Sequence, residues 1–178
     1  MSKTLAEKAA WDFIAAENPD FDLVTVNPPL VIGPVVHHFA TLDSINTSNG
    51  KFVDLLGGKW KDEIPDSPII PLYIDVRDAA LAHVYAMERQ EAGGHRLFAT
   101  AGRYAHRQAI DVVRKEFPEY EDRLPSVDKK GGEALSLDAT FKYDNQETLD
   151  ILNIDWISFE KSTSDLIKSL KSLGILDN

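Results

Sequence analysis

Asn27-Pro28-Pro29-Leu30-Val31-Ile32-Gly33-Pro34 follows directly on an apolar run, Phe21-Asp22-Leu23-Val24-Thr25-Val26, and interrupts it. The run reads as a strand whose far end is apolar on both faces, as expected of an internal parallel strand covered on both sides. Pro28 and Pro29 lack amide donors, so the strand cannot continue through them as a central hydrogen-bonded ladder. In an open parallel sheet, ligands sit outside the carboxyl ends of the strands, so a stiff corner at such an end is a place where backbone meets cofactor or substrate. Taken alone, a proline-glycine loop after a strand is punctuation. The segments on either side give it a meaning.

Upstream, Ser2 to Glu17 carries Leu5, Ala6, Ala9, Ala10, Phe13 and Ile14 at helical spacing and stops at Asn18-Pro19. Its alanine-rich face suits close packing on a sheet, and helix followed by parallel-type strand is the second half of a βαβ unit. Downstream, Phe39 to Leu56 reads as wholly or partly helical, ended by Gly57-Gly58, and Lys59 to Pro68 as loop. Ile69 to Val76 is a second extended run; a helix from Ala79 to Glu91 follows, capped by Asp75 or Asp78. After a Gly93-Gly94 turn come a strand, Arg96 to Thr100, and an amphipathic helix, His106 to Phe117, with Ala109, Ile110, Val113 and Phe117 on one side. Pro118 to Gly132 reads as charged loop, Asn145 to Leu152 as a short helix, and Ser158 to Leu173 as a final helix with Phe159, Leu166, Ile167, Leu170 and Leu173 inward. The alternation argues for an α/β protein, with too few strands to complete a sheet by itself.

The chain has 178 residues, enough for one core or for one domain and part of another. At 43% hydrophobic and 27% charged it has the composition of a globular domain. Lys and Arg number 19 against 29 Asp and Glu, and the net charge of -10 disfavours non-specific attraction to nucleic acid or an anionic membrane. No cysteine is present, so disulfides and thiolate metal sites are excluded. The expectation is a cytoplasmic protein with neither membrane nor nucleic-acid partner.

Ser2-Lys3-Thr4-Leu5-Ala6-Glu7-Lys8, the strand ending Val26-Asn27-Pro28, the corner Pro28 to Pro34, and Tyr73-Ile74-Asp75-Val76-Arg77-Asp78-Ala79-Ala80-Leu81-Ala82-His83 stand in a fixed order and spacing. Together they resemble the C-terminal half of an extended short-chain dehydrogenase/reductase. The nearest branch is the fungal NADPH-dependent methylglyoxal, ketone and aldehyde reductases, with plant dihydroflavonol reductases close by. The likeness is strongest from Ser2 to about Ala86 and thin after Gly131. It implies the C-terminal part of a Rossmann-type doubly wound parallel sheet plus a small α/β substrate-binding lobe. Residues 1–35 and 69–100 would belong to the sheet, and residues 36–68 and 101–178 to the lobe.

The resemblance also implies site residues. Lys3 matches the lysine of the family's Tyr-x-x-x-Lys motif, as a catalytic and cofactor-binding residue; the tyrosine would fall before residue 1, as would the glycine-rich fingerprint. Read by itself, Lys3 is a first-turn lysine able to pair with Glu7 at i+4. Backbone groups of Pro28, Leu30 and Val31 would contact the nicotinamide and ribose of NADP(H), and Ser48 of Asn46-Thr47-Ser48 would lie near the cofactor. Ser48 alone is equally a helix serine. Asp78 is expected to cap its helix while Arg77 pairs with a carboxylate. His83 reads as a packed, hydrogen-bonded histidine and His37-His38 as the rim of a substrate pocket; no metal site is expected.

The function implied is that of a fragment of an NADP(H)-dependent oxidoreductase interconverting a small ketone or aldehyde and its alcohol, inactive alone for want of the proton donor and phosphate cradle. Two alternatives stay open. One is a nucleotide-sugar epimerase/dehydratase or hydroxysteroid dehydrogenase relative. The other is a non-catalytic truncated paralogue acting as an interaction module. A homodimer through the N-terminal helix and marginal folding in isolation are also expected, because that helix carries an apolar stripe.

Overall fold

The computed structural model describes residues 2–36 and 45–174. In chain order its elements are α1 (Ser2–Glu17), β1 (Thr25–Val26), β2 (Leu30–Ile32), α2 (Thr47–Leu56), β3 (Leu72–Asp75), α3 (Val76–Glu88), β4 (Arg96–Leu97), β5 (Gly102–Arg103), α4 (His106–Glu116), α5 (Gln146–Leu152) and α6 (Phe159–Ser172). The α/β class read from the sequence is therefore what the chain adopts. The part of the helix expected from Phe39 and the histidine pair His37-His38 fall outside the described residues.

The strands form two short ladders. β1 pairs in parallel with β4, and β2 pairs in parallel with β3, which pairs antiparallel with β5. Side chains of β2 and β3 alternate between two apolar layers, as strand geometry requires. Ile32 and Tyr73 face a cluster built by Phe52, Leu55 and Leu56 of α2, Ile110 and Val113 of α4, and Leu166, Ile167 and Leu170 of α6. Val31 and Ile74 face the opposite layer, with Ala79, Ala82 and Ala86 of α3, Leu97 and Leu152. Small residues at Ala79, Ala82 and Ala86 recur three and four apart, so one face of α3 lies close against the sheet. Leu55, Ile110 and Leu166 are fully buried, and each such side chain stabilises the fold by about 2 kcal/mol relative to exposure.

Three expectations need correction. The strand read from Phe21 is formed only at Thr25–Val26. Phe21 is exposed, and backbone pairing with the chain at Gly94 to Leu97 begins at the carbonyl of Leu23. Second, the proline corner is not loop throughout: Leu30–Ile32 is itself a strand. Both prolines precede its first residue, where a missing N–H costs no ladder bond. Third, α3 starts at Val76, because Asp75 is the N-cap and accepts the Arg77 N–H at 2.8 Å. Asp78 is instead buried within the first turn, where its carboxylate accepts the backbone N–H of Ile157 at 2.7 Å.

α1 stands apart from these layers. None of its residues is buried, and Leu5 and Phe13 are 62% and 51% exposed. Most of the apolar stripe seen in the sequence is thus uncovered in the folded chain, with only Ala10 and Ile14 half-buried.

Candidate functional site

An open hollow of about 1080 Å³ lies between α1 and β1. Lys3, Thr4, Glu7, Lys8 and Trp11 line it from the helix, Thr25 to Pro28 from the strand and corner, and Ile70 and Arg96 from neighbouring segments. Two of the residues singled out in the sequence, Lys3 and Pro28, therefore share one cavity. Lys3 is exposed and, among the described residues, has no ion-pair partner.

Glu7 sets the position of that helix face. It is one turn beyond Lys3, hence on the same side of α1, yet it does not pair with Lys3. Its carboxylate accepts the Arg96 Nε–H at 2.6 Å and the Thr25 hydroxyl at 3.2 Å. The Arg96 guanidinium, working against partial burial, holds the Glu7 carboxyl below its ordinary range. A charge-assisted pair between α1 and β4, backed by a bond to β1, turns the Lys3 face of the helix toward the strand end.

Leu30 and Val31 lie on β2, directly after the corner, and both are half-buried. Leu30 packs against the α2/α4/α6 layer and Val31 against the α3 layer, so their side chains are committed to the core. Ser48 sits in the first turn of α2 and is not among the residues that line the hollow. His83 is hydrogen-bonded, its Nδ1 lying 2.6 Å from the Ala79 carbonyl, but it is exposed on α3 where packing had been expected. Arg77 does pair with carboxylates, those of Asp75 and Asp165, at 2.8 Å and 2.7 Å.

Arg96, Trp11 and Ile70 were not anticipated as site residues. Nothing local in the sequence marks them: Arg96 reaches Glu7 across 89 residues of chain. Among the described residues, no tyrosine lines the hollow. Tyr73 and Tyr104 are buried elsewhere, and burial pushes both phenols up to about 12. A cation at Lys3 with free donors, beside a corner presenting backbone groups, can hold hydroxyl or carbonyl oxygens, for an ammonium offers three donors and no acceptor.

No family model matches the chain. Among curated proteins, a ketoreductase of Aspergillus niger, azaE, is 37% identical over 169 residues, covering 95% of this chain and 49% of the relative. The NADPH-dependent methylglyoxal reductase GRE2 of Saccharomyces cerevisiae is 32% identical over 167 residues, covering 92% of this chain and 48% of the relative. Among solved structures, Gre2 of Candida albicans in complex with NADPH superposes with a TM-score of 0.79 at 31% identity, over 97% of this chain and 50% of that one. The chain thus spans about half the length of the curated relatives it matches. No described helix is long and apolar enough to cross a membrane.

Proposed function

The chain belongs to the extended short-chain dehydrogenase/reductase family, and from that premise we propose that it forms the part of a carbonyl reductase that receives the nicotinamide-ribose end of NADP(H). The observation that carries this reading is the meeting of Lys3 and Pro28, 25 residues apart in the chain, in one hollow. The residues fit such a guest: an unpaired ammonium for ribose hydroxyls, and a proline-stiffened corner whose carbonyl and N–H groups need no ordering on binding.

When bound, the reduced nicotinamide would supply a hydride to the carbonyl carbon of a small ketone or aldehyde, and a proton delivered to the oxygen by a separate acid would complete the alcohol. Lys3 holds the ribose and lowers the pKa of any phenol brought beside it, since a nearby cation favours the phenolate. Backbone groups at Pro28, Leu30 and Val31 orient the ring; Ser48, which does not line the hollow, is assigned to the cofactor by the family resemblance alone. Residues 1–35 and 69–100 serve the cofactor side, and residues 36–68 and 101–178 the substrate side. Two copies associate through α1, whose exposed Leu5 and Phe13 support the idea. The absence of cysteine supports a cytoplasmic setting.

The 178 residues alone do not turn over, because the hollow is lined by no phenol that could deliver the proton. NADPH oxidation followed in the presence of methylglyoxal tests this: the expected rate is that of buffer, unchanged by Lys3→Ala. Turnover that Lys3→Ala abolishes would overturn the inactivity and leave the site standing. Turnover indifferent to Lys3→Ala would overturn the site.

A further inference from the structure

The backbone that leaves β2 is gripped from three sides. At Gly33 a side chain would begin 2.9 Å from the Asp75 carboxylate, which is fully buried at the end of β3. From α2, the Asn49 side-chain amide donates to the Gly33 carbonyl at 3.4 Å. From α6, the Ser169 hydroxyl accepts the Val35 N–H at 2.9 Å and donates its own O–H to the Leu166 carbonyl at 2.7 Å.

α6 also reaches the same turn by a second route. Asp165 accepts from Arg77 at 2.7 Å, and Arg77 in turn donates to both oxygens of Asp75 at 2.8 Å. Lys161, one turn before Asp165, holds it in place at 2.6 Å. Asp165 and Ser169 are four residues apart, so they lie on one face of α6. One of them fixes the floor beneath Gly33 and the other fixes the amide of Val35. Both are more than a hundred residues from Leu30 in the chain, and neither touches the hollow.

We propose that Asp165 and Ser169 are positioning residues: α6 acts as a clamp that sets the register of the backbone from Leu30 to Val35, and through it the groups presented to the nicotinamide. The inference rests on the reading of Leu30 and Val31 as cofactor-facing. Its physical basis is that a backbone segment bonded at both Gly33 and Val35 leaves little freedom to shift at Leu30 and Val31, whose ladder with β3 runs from Leu30 to Ile32, directly before Gly33. Loosening α6 on this face therefore loosens the corner.

The test compares Ser169→Ala and Asp165→Asn with Ser164→Ala in the 178-residue chain. Ser164 makes an equivalent side-chain bond from α6, to Glu116 on α4, away from the corner. The two clamp variants are expected to speed amide exchange from Leu30 to Val35 and to weaken NADPH binding by about three- to tenfold, the worth of one hydrogen bond. Ser164→Ala should do neither while losing a similar amount of thermal stability. Exchange unchanged at Leu30 and Val31 in the clamp variants, or equally raised by Ser164→Ala, would overturn the clamp. If the unsubstituted chain binds no NADPH, the cofactor reading fails, and the exchange data alone decide whether α6 sets the corner.

Discussion

Glu7 and Arg96 meet at 2.6 Å, an ion pair that ties the first helix to β4. α1 buries no residue, so its attachment depends on polar contacts more than on apolar area. Arg96→Met should therefore cost about 1 kcal/mol of stability, as for a partly exposed charge-assisted pair. The larger effect should be local, with amide exchange along α1 accelerated while α4 and α6 keep their protection. Uniform acceleration across all helices would show that α1 is held by something else.

Gly33 cannot be replaced quietly. Its φ is +128°, a conformation that L side chains rarely adopt, and the Asp75 carboxylate occupies the space a methyl group would need. Gly33→Ala is expected to destabilise the chain by about 2 kcal/mol. Urea unfolding monitored by circular dichroism checks this. A midpoint equal to that of the unsubstituted chain would mean that the turn relaxes without penalty.

His106 makes the fold sensitive to mild acid. The ring is buried between Trp60 and Tyr104, at 4.7 Å and 6.3 Å, and Nδ1 lies 3.1 Å from the Pro65 carbonyl, which fixes it as the protonated nitrogen. Among the described residues, Nε2 has no hydrogen-bond partner. Burial depresses its pKa; the Pro65 carbonyl and Asp66 oppose this, and Lys51 adds to it. The unfolded chain thus takes up the proton first. Stability is full above the ordinary value of 6.5 and falls as the pH drops from there toward the lower folded value. Asp78, pushed up by burial, works in the opposite sense at lower pH. Denaturation midpoints at about pH 8 and about pH 5.5 should differ in the unsubstituted chain and differ less in His106→Phe. Identical differences in both would rule out His106 as the titrating group.

The sequence was most legible where apolar periodicity is strong. α4 and α6 begin and end within about two residues of their expected bounds, because each carries a one-sided stripe and a recognisable start or stop. It was least legible where a distant group decides. Asp78 has the composition of a cap, yet Ile157 claims its carboxylate from 79 residues away. Arg96 likewise pre-empts the Lys3–Glu7 pair, which spacing alone allows. The short strand hidden in the corner was masked by Pro28 and Pro29, whose effect ends where Leu30 begins. Of the site, Lys3 and Pro28 could be located through the motif resemblance, whereas the hollow's Trp11, Ile70 and Arg96 come from segments that only the fold brings together.

The uncovered face of α1 predicts self-association. Leu5 and Phe13, eight residues apart on one side of the helix, expose apolar surface that a second copy would bury. Sedimentation should show a concentration-dependent dimer that the Leu5→Glu, Phe13→Glu double variant converts to monomer. Monomeric behaviour of the unsubstituted chain at every concentration would exclude this contact.

The most direct test of the account is a map of amide chemical-shift changes as NADPH is titrated into the isotopically labelled chain. The account predicts changes concentrated at Lys3, Asn27, Leu30 and Val31, and their loss in Lys3→Ala. Changes centred elsewhere, or a map unaltered by Lys3→Ala, would contradict it.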